Sequence, residues 1–207
     1  MSHLFVRATI LAALIASVAP SAQAKCSGSI VLYTGVVNAD TMVDSNNPSS
    51  NAGSDGVMGL GYFWGNPSYN LLDLRTTDMH DALKSIKTKG ACVNEATLHV
   101  YTSDPQGDTP QQVELYTTES FDASVVTWNT GPNIASFYDS IVMVEQDFNS
   151  FDIINLVEDW APGYSGSDWG YLALIGTNTG TDYEYWNDTL EAGSGQEAFF
   201  KVWLQLP

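Results

Sequence analysis

This 207-residue sequence predicts an all-β fold, a jelly-roll β-sandwich of two antiparallel sheets with one or two short helices. Three observations carry that reading. Short runs rich in β-branched and aromatic residues recur between Gly, Pro and Asn turns, as in sandwiches and jelly rolls. Self-similarity at a period of about 20–50 residues, the mark of solenoids, is absent. The stretch from Phe151 to Leu174 reads as the end of a strand, a short helix with Ile153, Leu156, Val157 and Trp160 on one face, and a buried strand. A helix that short cannot bury its own stripe, so it must lie as a lid over sheets.

The elements follow in order. Ser29 to Val37 reads as a first strand. Asn38 to Asp55 is polar and dense in Asp and Asn, and reads as a loop. Val57 to Tyr62 is a short strand, Phe63 to Pro67 an exposed turn, and Tyr69 to Leu74 a strand again. Thr77 to Lys89 has Met79, Leu83 and Ile86 at helical spacing, acids in its first turns, lysines at its end and Gly90 behind it. All of these signals specify a helix. Leu98, Val100 and Thr102 alternate with Thr97, His99 and Tyr101 as in a half-buried strand, and Asp104 to Pro110 reads as a turn. Val113 to Tyr116, Val125 to Trp128 and Ile141 to Val144 are further strands. In the lid stretch, Asp152 is placed to cap the helix and Pro162-Gly163 to end it. Tyr171 to Ile175, Tyr183 to Trp186 and Ala198 to Leu206 complete the strands.

Residues 1–24 read as a signal peptide. Arg7 precedes an apolar run from Ala8 to Val18, and Ala22-Gln23-Ala24 has the form of a cleavage site. The expected product is one exported domain over residues 25–207. With Lys and Arg totalling 7 against 24 Asp and Glu, the formal net charge is −17. No Lys or Arg occurs in residues 26–74 or 90–200. Without a basic stripe to displace counterions, nucleic acid is excluded as a partner, and an anionic membrane surface with it. No later segment is apolar over eighteen residues, so membrane insertion is not expected. Cys26 and Cys92 are expected to pair in an exported protein, two thiols being the alternative.

Catalytic patterns are missing. His80 falls in the predicted helix and His99 in a strand, and neither belongs to a Ser/His/Asp, HExxH or GxSxG pattern. What the sequence does hold is aromatic rings beside turns. Trp and Tyr suit the flat CH faces of sugars, while Asn, Asp and Gln read hydroxyls. The candidate rings are Tyr62 and Trp64 in a glycine-rich turn, Tyr164 and Trp169 around the lid loop, and Tyr183, Tyr185 and Trp186 on a late strand. Trp128, Trp160 and Trp203 sit among apolar neighbours and read as core. Calcium, a hard ion wanting about six to eight oxygens, is offered Asp40, Asp44, Asn47, Asn51 and Asp55 in one loop, with a solvated turn-rich loop as the alternative. Asn187-Asp188-Thr189 is a glycosylation sequon.

Several short motifs occur in an order that resembles the DNRLRE-type β-sandwich domains, which overlap with the family 96 carbohydrate-binding modules. They are Asp40-Thr41-Met42-Val43, Leu71-Leu72-Asp73-Leu74, Ala96 to Tyr101, Val126-Thr127-Trp128-Asn129 to Pro132, and Phe151-Asp152-Ile153 with Val157 to Trp160 and Gly163 to Gly170. The likeness spans about Asn38 to Leu206. Phe121 and Asp122 stand where such domains commonly carry Trp and Glu, Ile154 replaces a threonine, and the helix Thr77 to Lys89 looks like an insertion. The resemblance implies a jelly roll, secreted or on a cell surface, that binds a polysaccharide. Some members take alginate, a polyanion this acidic chain repels, so a neutral glycan is expected, or an acidic one bridged by calcium. A structural protein of the cell surface or matrix, self-associating as a filament or wall subunit, is the competing function.

Overall fold

Alternation along the longest strand shows how the molecule is layered. Leu98, Val100 and Thr102 are fully buried while Thr97, His99 and Tyr101 between them are half-exposed, so one face of that strand meets the core and the other meets solvent. The structure is a computed structural model that describes residues 26–63, 66–106, 112–144, 146–177 and 183–207. In chain order its elements are β1 (Ile30–Val36), β2 (Ala39–Asp44), β3 (Val57–Phe63), β4 (Asn66–Asp73), α1 (Thr77–Lys89), β5 (Cys92–Gln106), β6 (Gln112–Thr118), β7 (Ile134–Val142), β8 (Asp147–Asp152), α2 (Ile154–Trp160), β9 (Tyr171–Gly176), β10 (Tyr183–Asp188) and β11 (Phe199–Gln205).

Every strand pairing is antiparallel. In one layer β5 takes β8 along one edge, and β11 followed by β10 along the other. Thr102 is therefore opposite both Asp147 and Asn187. β1 lies outside β11, and β3 lies beside β10. The second layer runs β2-β4-β9-β6-β7. The β3–β4 hairpin carries the chain from one layer to the other. The sandwich of two antiparallel sheets with two short helices is thus the fold that the residue pattern predicts.

Between the sheets lies a core that includes Leu60, Leu72, Leu98, Leu115, Phe151, Leu172 and Phe200. A line of buried amides crosses it. Asn149 Nδ2 donates to Thr102 Oγ1 (3.0 Å), which donates to Asn187 Oδ1 (3.2 Å); Asn187 Nδ2 donates to Asn70 Oδ1 (2.6 Å), and Asn70 Nδ2 to the Gly59 carbonyl (2.8 Å). Five strands are stitched together by groups that would be expensive to bury alone. A second, smaller core of Val43, Leu71, Val126 and Ala173 lies on the outer face of the second sheet. Residues 119–133 cover it with Phe121 and Trp128. β9 therefore has both faces buried, which explains its unbroken apolar run.

The helices match expectation closely. α1 has the bounds read from sequence, with the Thr76 hydroxyl accepting from Met79 N and Gly90 in the left-handed conformation closing the last turn. α2 begins one residue later than a cap at Asp152 implies, yet the Asp152 carboxylate still accepts from Ile154 N (2.9 Å). Ile153, Leu156, Val157 and Trp160 are all buried. Cys26 and Cys92 form a disulfide.

Four expectations need correction. Residues 39–44 of the supposed Asn-rich loop are β2; Asp40 and Thr41, which point to opposite faces, are both buried, so each covered face holds a polar residue and the alternation is masked. Val125 to Trp128 is not a strand. The Asp122 carbonyl accepts from Val125 N and Val126 N, Thr127 N donates to Thr130 Oγ1, and a single 3-10 turn forms at Trp128–Thr130. Local side-chain and turn bonds there displace a ladder. Finally, Asp104 to Gln106 extend β5 against β10 and Asn66-Pro67 belong to β4.

Candidate functional site

β4 ends at Asp73, and the chain turns there because the Asp73 Oδ1 accepts from Arg75 N (2.9 Å). The same carboxylate holds the Arg75 side chain, Oδ1 from Nε and Oδ2 from Nη2, both at 2.9 Å. Oδ2 also accepts from Asn38 Nδ2 (3.0 Å). Such a two-pronged pair fixes a guanidinium far better than a single contact. The guanidinium carbon lies 3.9 Å above the Tyr171 ring, and Asp73 raises the Arg75 pKa further. Burial pushes the Tyr171 hydroxyl up. The arrangement depends on Gly170, whose φ is +84° and where a Cβ would stand 2.6 Å from Arg75 Cγ.

Arg75 forms one wall of a groove of about 540 Å³. The opposite wall is the turn Phe121 to Ser124. Its Asp122 carboxylate accepts from Ser124 N (2.9 Å) and Ser124 Oγ (2.6 Å), bonds that hold it below the usual carboxylate range. Asn51 straps this wall in place, its Nδ2 donating to the Ala123 and Val126 carbonyls. Phe121 stands 5.4 Å from Tyr171. Past that ring pair a second hollow of about 370 Å³ opens beside Glu119 and Asp168. Apolar ring surface, hydrogen-bond donors and acceptors thus converge in one cleft, the mix a polyhydroxylated ligand requires.

Of the sequence-predicted rings that the structure describes, Tyr62 lies on β3, and Tyr164 and Trp169 lie at the lid loop. Tyr62 is half-buried on β3 opposite Tyr183. Tyr164 packs against α1, 5.0 Å from His80 and 5.1 Å from Lys87 Nζ. Trp169 is 6% exposed; its Nε1 donates to the Tyr164 and Gly166 carbonyls and its ring lies 6.2 Å from Trp160. It anchors the lid loop and does not present a face. Trp64 and the side chains of Tyr185 and Trp186 lie outside the described residues, as do residues 1–24. The backbone sets Tyr185 opposite Leu60 and Trp186 opposite Gly59. Trp203, read as core, is 36% exposed.

The three acids named for calcium do not form one group. Asp40 is buried at the start of β2, its Oδ2 accepting from Leu190 N (3.1 Å). Asp44, at the other end of β2, accepts from Asn46 N and Asn47 Nδ2. Asp55 is exposed, and its carbonyl accepts from Thr189 Oγ1 (2.6 Å). Among the described residues no group of three His, Cys, Asp or Glu is placed to hold a metal. The sequon is closed in the folded chain, because the Asn187 amide is buried and bonded to Asn70.

Sequence reasoning missed Asn38, Asp73, Phe121, Asp122 and Tyr171 as site residues, and Arg75 with them, which stands just ahead of the α1 lysines. A usable signal existed: Arg75 is the first cation after Lys25, two residues behind an Asp. In the structure the lysines part company with it, Lys87 donating to the Pro162 carbonyl across to the lid. The family model of carbohydrate-binding module family 96 matches residues 33–188, a span that includes every residue of the groove but Leu190. Comparison with curated proteins finds no match.

Proposed function

This chain belongs to carbohydrate-binding module family 96, and from that premise we propose that it is a secreted, non-catalytic module holding a polysaccharide in the groove between Arg75 and the Phe121 to Ser124 turn. One observation carries the placement: the Arg75 guanidinium is clamped by Asp73 and laid over Tyr171 beside Phe121. A clamped guanidinium donates to hydroxyls without first losing side-chain freedom, and preorganisation of that kind is where affinity for weakly binding sugars comes from. Asp122 and Asn38 add an acceptor and a donor, and Phe121 adds apolar surface. Asp40, Asp73 and Asp122 outnumber Arg75 here, so the ligand is a glycan without net negative charge.

Affinity-gel retardation on a panel of neutral polysaccharides, with alginate beside them, tests this. Ser124→Trp, on the exposed turn, fills the groove without touching the core. It should cut retardation at least about tenfold, a loss of about 1.4 kcal/mol, with an unchanged melting curve. Undiminished retardation removes the groove. Trp64→Ala and Trp186→Ala probe the ring reading in the same gels; if those two abolish binding and Ser124→Trp does not, the ligand lies at the β3–β10 end instead. Calcium is the accessory part of the proposal, taken up in the Asn-rich loop by Asp44 or Asp55 together with backbone carbonyls. Adding calcium to chelator-treated protein should raise the melting temperature, and a shift of zero removes the ion.

A further inference from the structure

The two sheets differ in what covers their outer faces. Residues 119–133 lie over the β2-β4-β9-β6 face and bury a second core there. The outer face of β1-β11-β5-β8 has no such cover among the described residues. Register sets its side chains in rows. Leu32 is opposite Trp203 and Trp203 opposite Glu95; Val36 is opposite Phe199, Phe199 opposite His99, and His99 opposite Ser150; Tyr101 is opposite Phe148. Ile30 is 59% exposed, Val36 45%, Leu32 41% and Trp203 36%. Exposed apolar side chains on both sides of the central row Thr34, Lys201 and Thr97, on a chain of net charge −17, call for a partner.

The rings show which kind. His99 and Phe199 stack face to face at 4.5 Å with planes 12° apart, and Phe148 meets Phe199 edge-on at 5.2 Å. The flat sides of His99 and Phe199 are turned to one another, so this pair offers ring edges. A sugar needs ring faces; a second protein surface does not. The charges fit a like partner. Lys201 sits mid-face, opposite Thr34 and Thr97, with Glu95 one strand and one row away and Asp152 two strands away in the same row. A two-fold axis through the face brings each Lys201 towards the acids of the other copy, which makes the surface self-complementary. β1 itself carries no charge and lacks the Lys or Pro by which edge strands are usually protected. Everywhere else two such acidic chains repel.

We propose that the outer face of β1-β11-β5-β8 binds a second copy of this chain across a two-fold axis. The interface is at the small end of the specific range, about 1,200 Å² in total, so association is weak and concentration-dependent. Raising NaCl from about 0.1 M to about 1 M shortens the screening length from about 10 Å to about 3 Å, and dimer formation should strengthen because the opposing force is like-charge repulsion. Sedimentation equilibrium of the disulfide-intact chain, residues 25–207, over a wide concentration range at both salts reads this directly. Leu32→Lys and Trp203→Lys should each weaken association by about tenfold or more while glycan retardation and melting temperature hold, and Lys201→Glu should weaken it most at low salt. A chain that stays monomeric at both salts overturns the proposal, as does a dimer indifferent to all three substitutions. Loss of binding to an insoluble polysaccharide in Leu32→Lys and Trp203→Lys, with the parent monomeric, assigns the face to the glycan and overturns it equally.

Discussion

At the scale of single residues, Gly170 decides whether the groove exists. Only glycine tolerates its positive φ readily, and any β-carbon there collides with the Arg75 stem. Gly170→Ala should lower stability by about 1–2 kcal/mol in a denaturant titration and weaken glycan retardation, because Arg75 must leave Tyr171. Equal retardation with the lower stability would show that Arg75 position is irrelevant to the ligand. Little of this was legible beforehand. Arg75 looks like one more cation before three lysines until folding sends the lysines along α1 and leaves the guanidinium folded back on Asp73. Tyr171 looks like the first residue of a core strand, which it also is. Chemistry that depends on residues more than 30 positions apart, such as Asn38 with Asp73, leaves no local pattern to read.

At the scale of elements, legibility follows the locality of the forces. α1 was readable to its end residues because its caps, charges and apolar stripe are all within the segment. β2 was not, because both its faces bury a polar residue, Asp40 on one and Thr41 on the other, and the Asp40 carboxylate is held by Leu190 N from far along the chain. The lid helix α2 ties to β7 through one contact with a pH signature. Tyr138 OH donates to Asp159 Oδ2 (2.6 Å), and this bond pushes the Tyr138 hydroxyl up to about 12. The folded value lies above the ordinary value of about 10, so the folded chain holds this proton more tightly than the unfolded one. The contribution is complete below pH about 10 and is lost as pH rises from about 10 to about 12. Alkaline unfolding of Tyr138→Phe should therefore show a smaller fall in stability across that window than the parent. Identical alkaline profiles would mean that the contact does not couple the lid to the sheet.

At the scale of the whole molecule, the amide line from Asn149 to Gly59 and the disulfide do complementary work. The first binds the layers together in the native state, where Asn70→Ala leaves the Asn187 amide and the Gly59 carbonyl without their partner and should lower stability by about 3 kcal/mol in chemical denaturation. The second constrains the unfolded chain, and Cys26→Ser with Cys92→Ser should lose up to about 4 kcal/mol. If the first loss is under 1 kcal/mol, water replaces the missing amide. The layered class was visible in the sequence because turns and alternation recur along it; the amide line was not, since each Asn alone looks like a loop residue. The disulfide sets Cys26 against the start of β5, and Gly28 N donates to the Leu206 carbonyl at 2.9 Å. The first and last described residues therefore run side by side, and the path of the backbone is nearly a closed ring. Splicing one to the other and opening the chain in the 46–50 turn should yield a rearranged polypeptide with the same sandwich, its groove wall strapped by Asn51 as before.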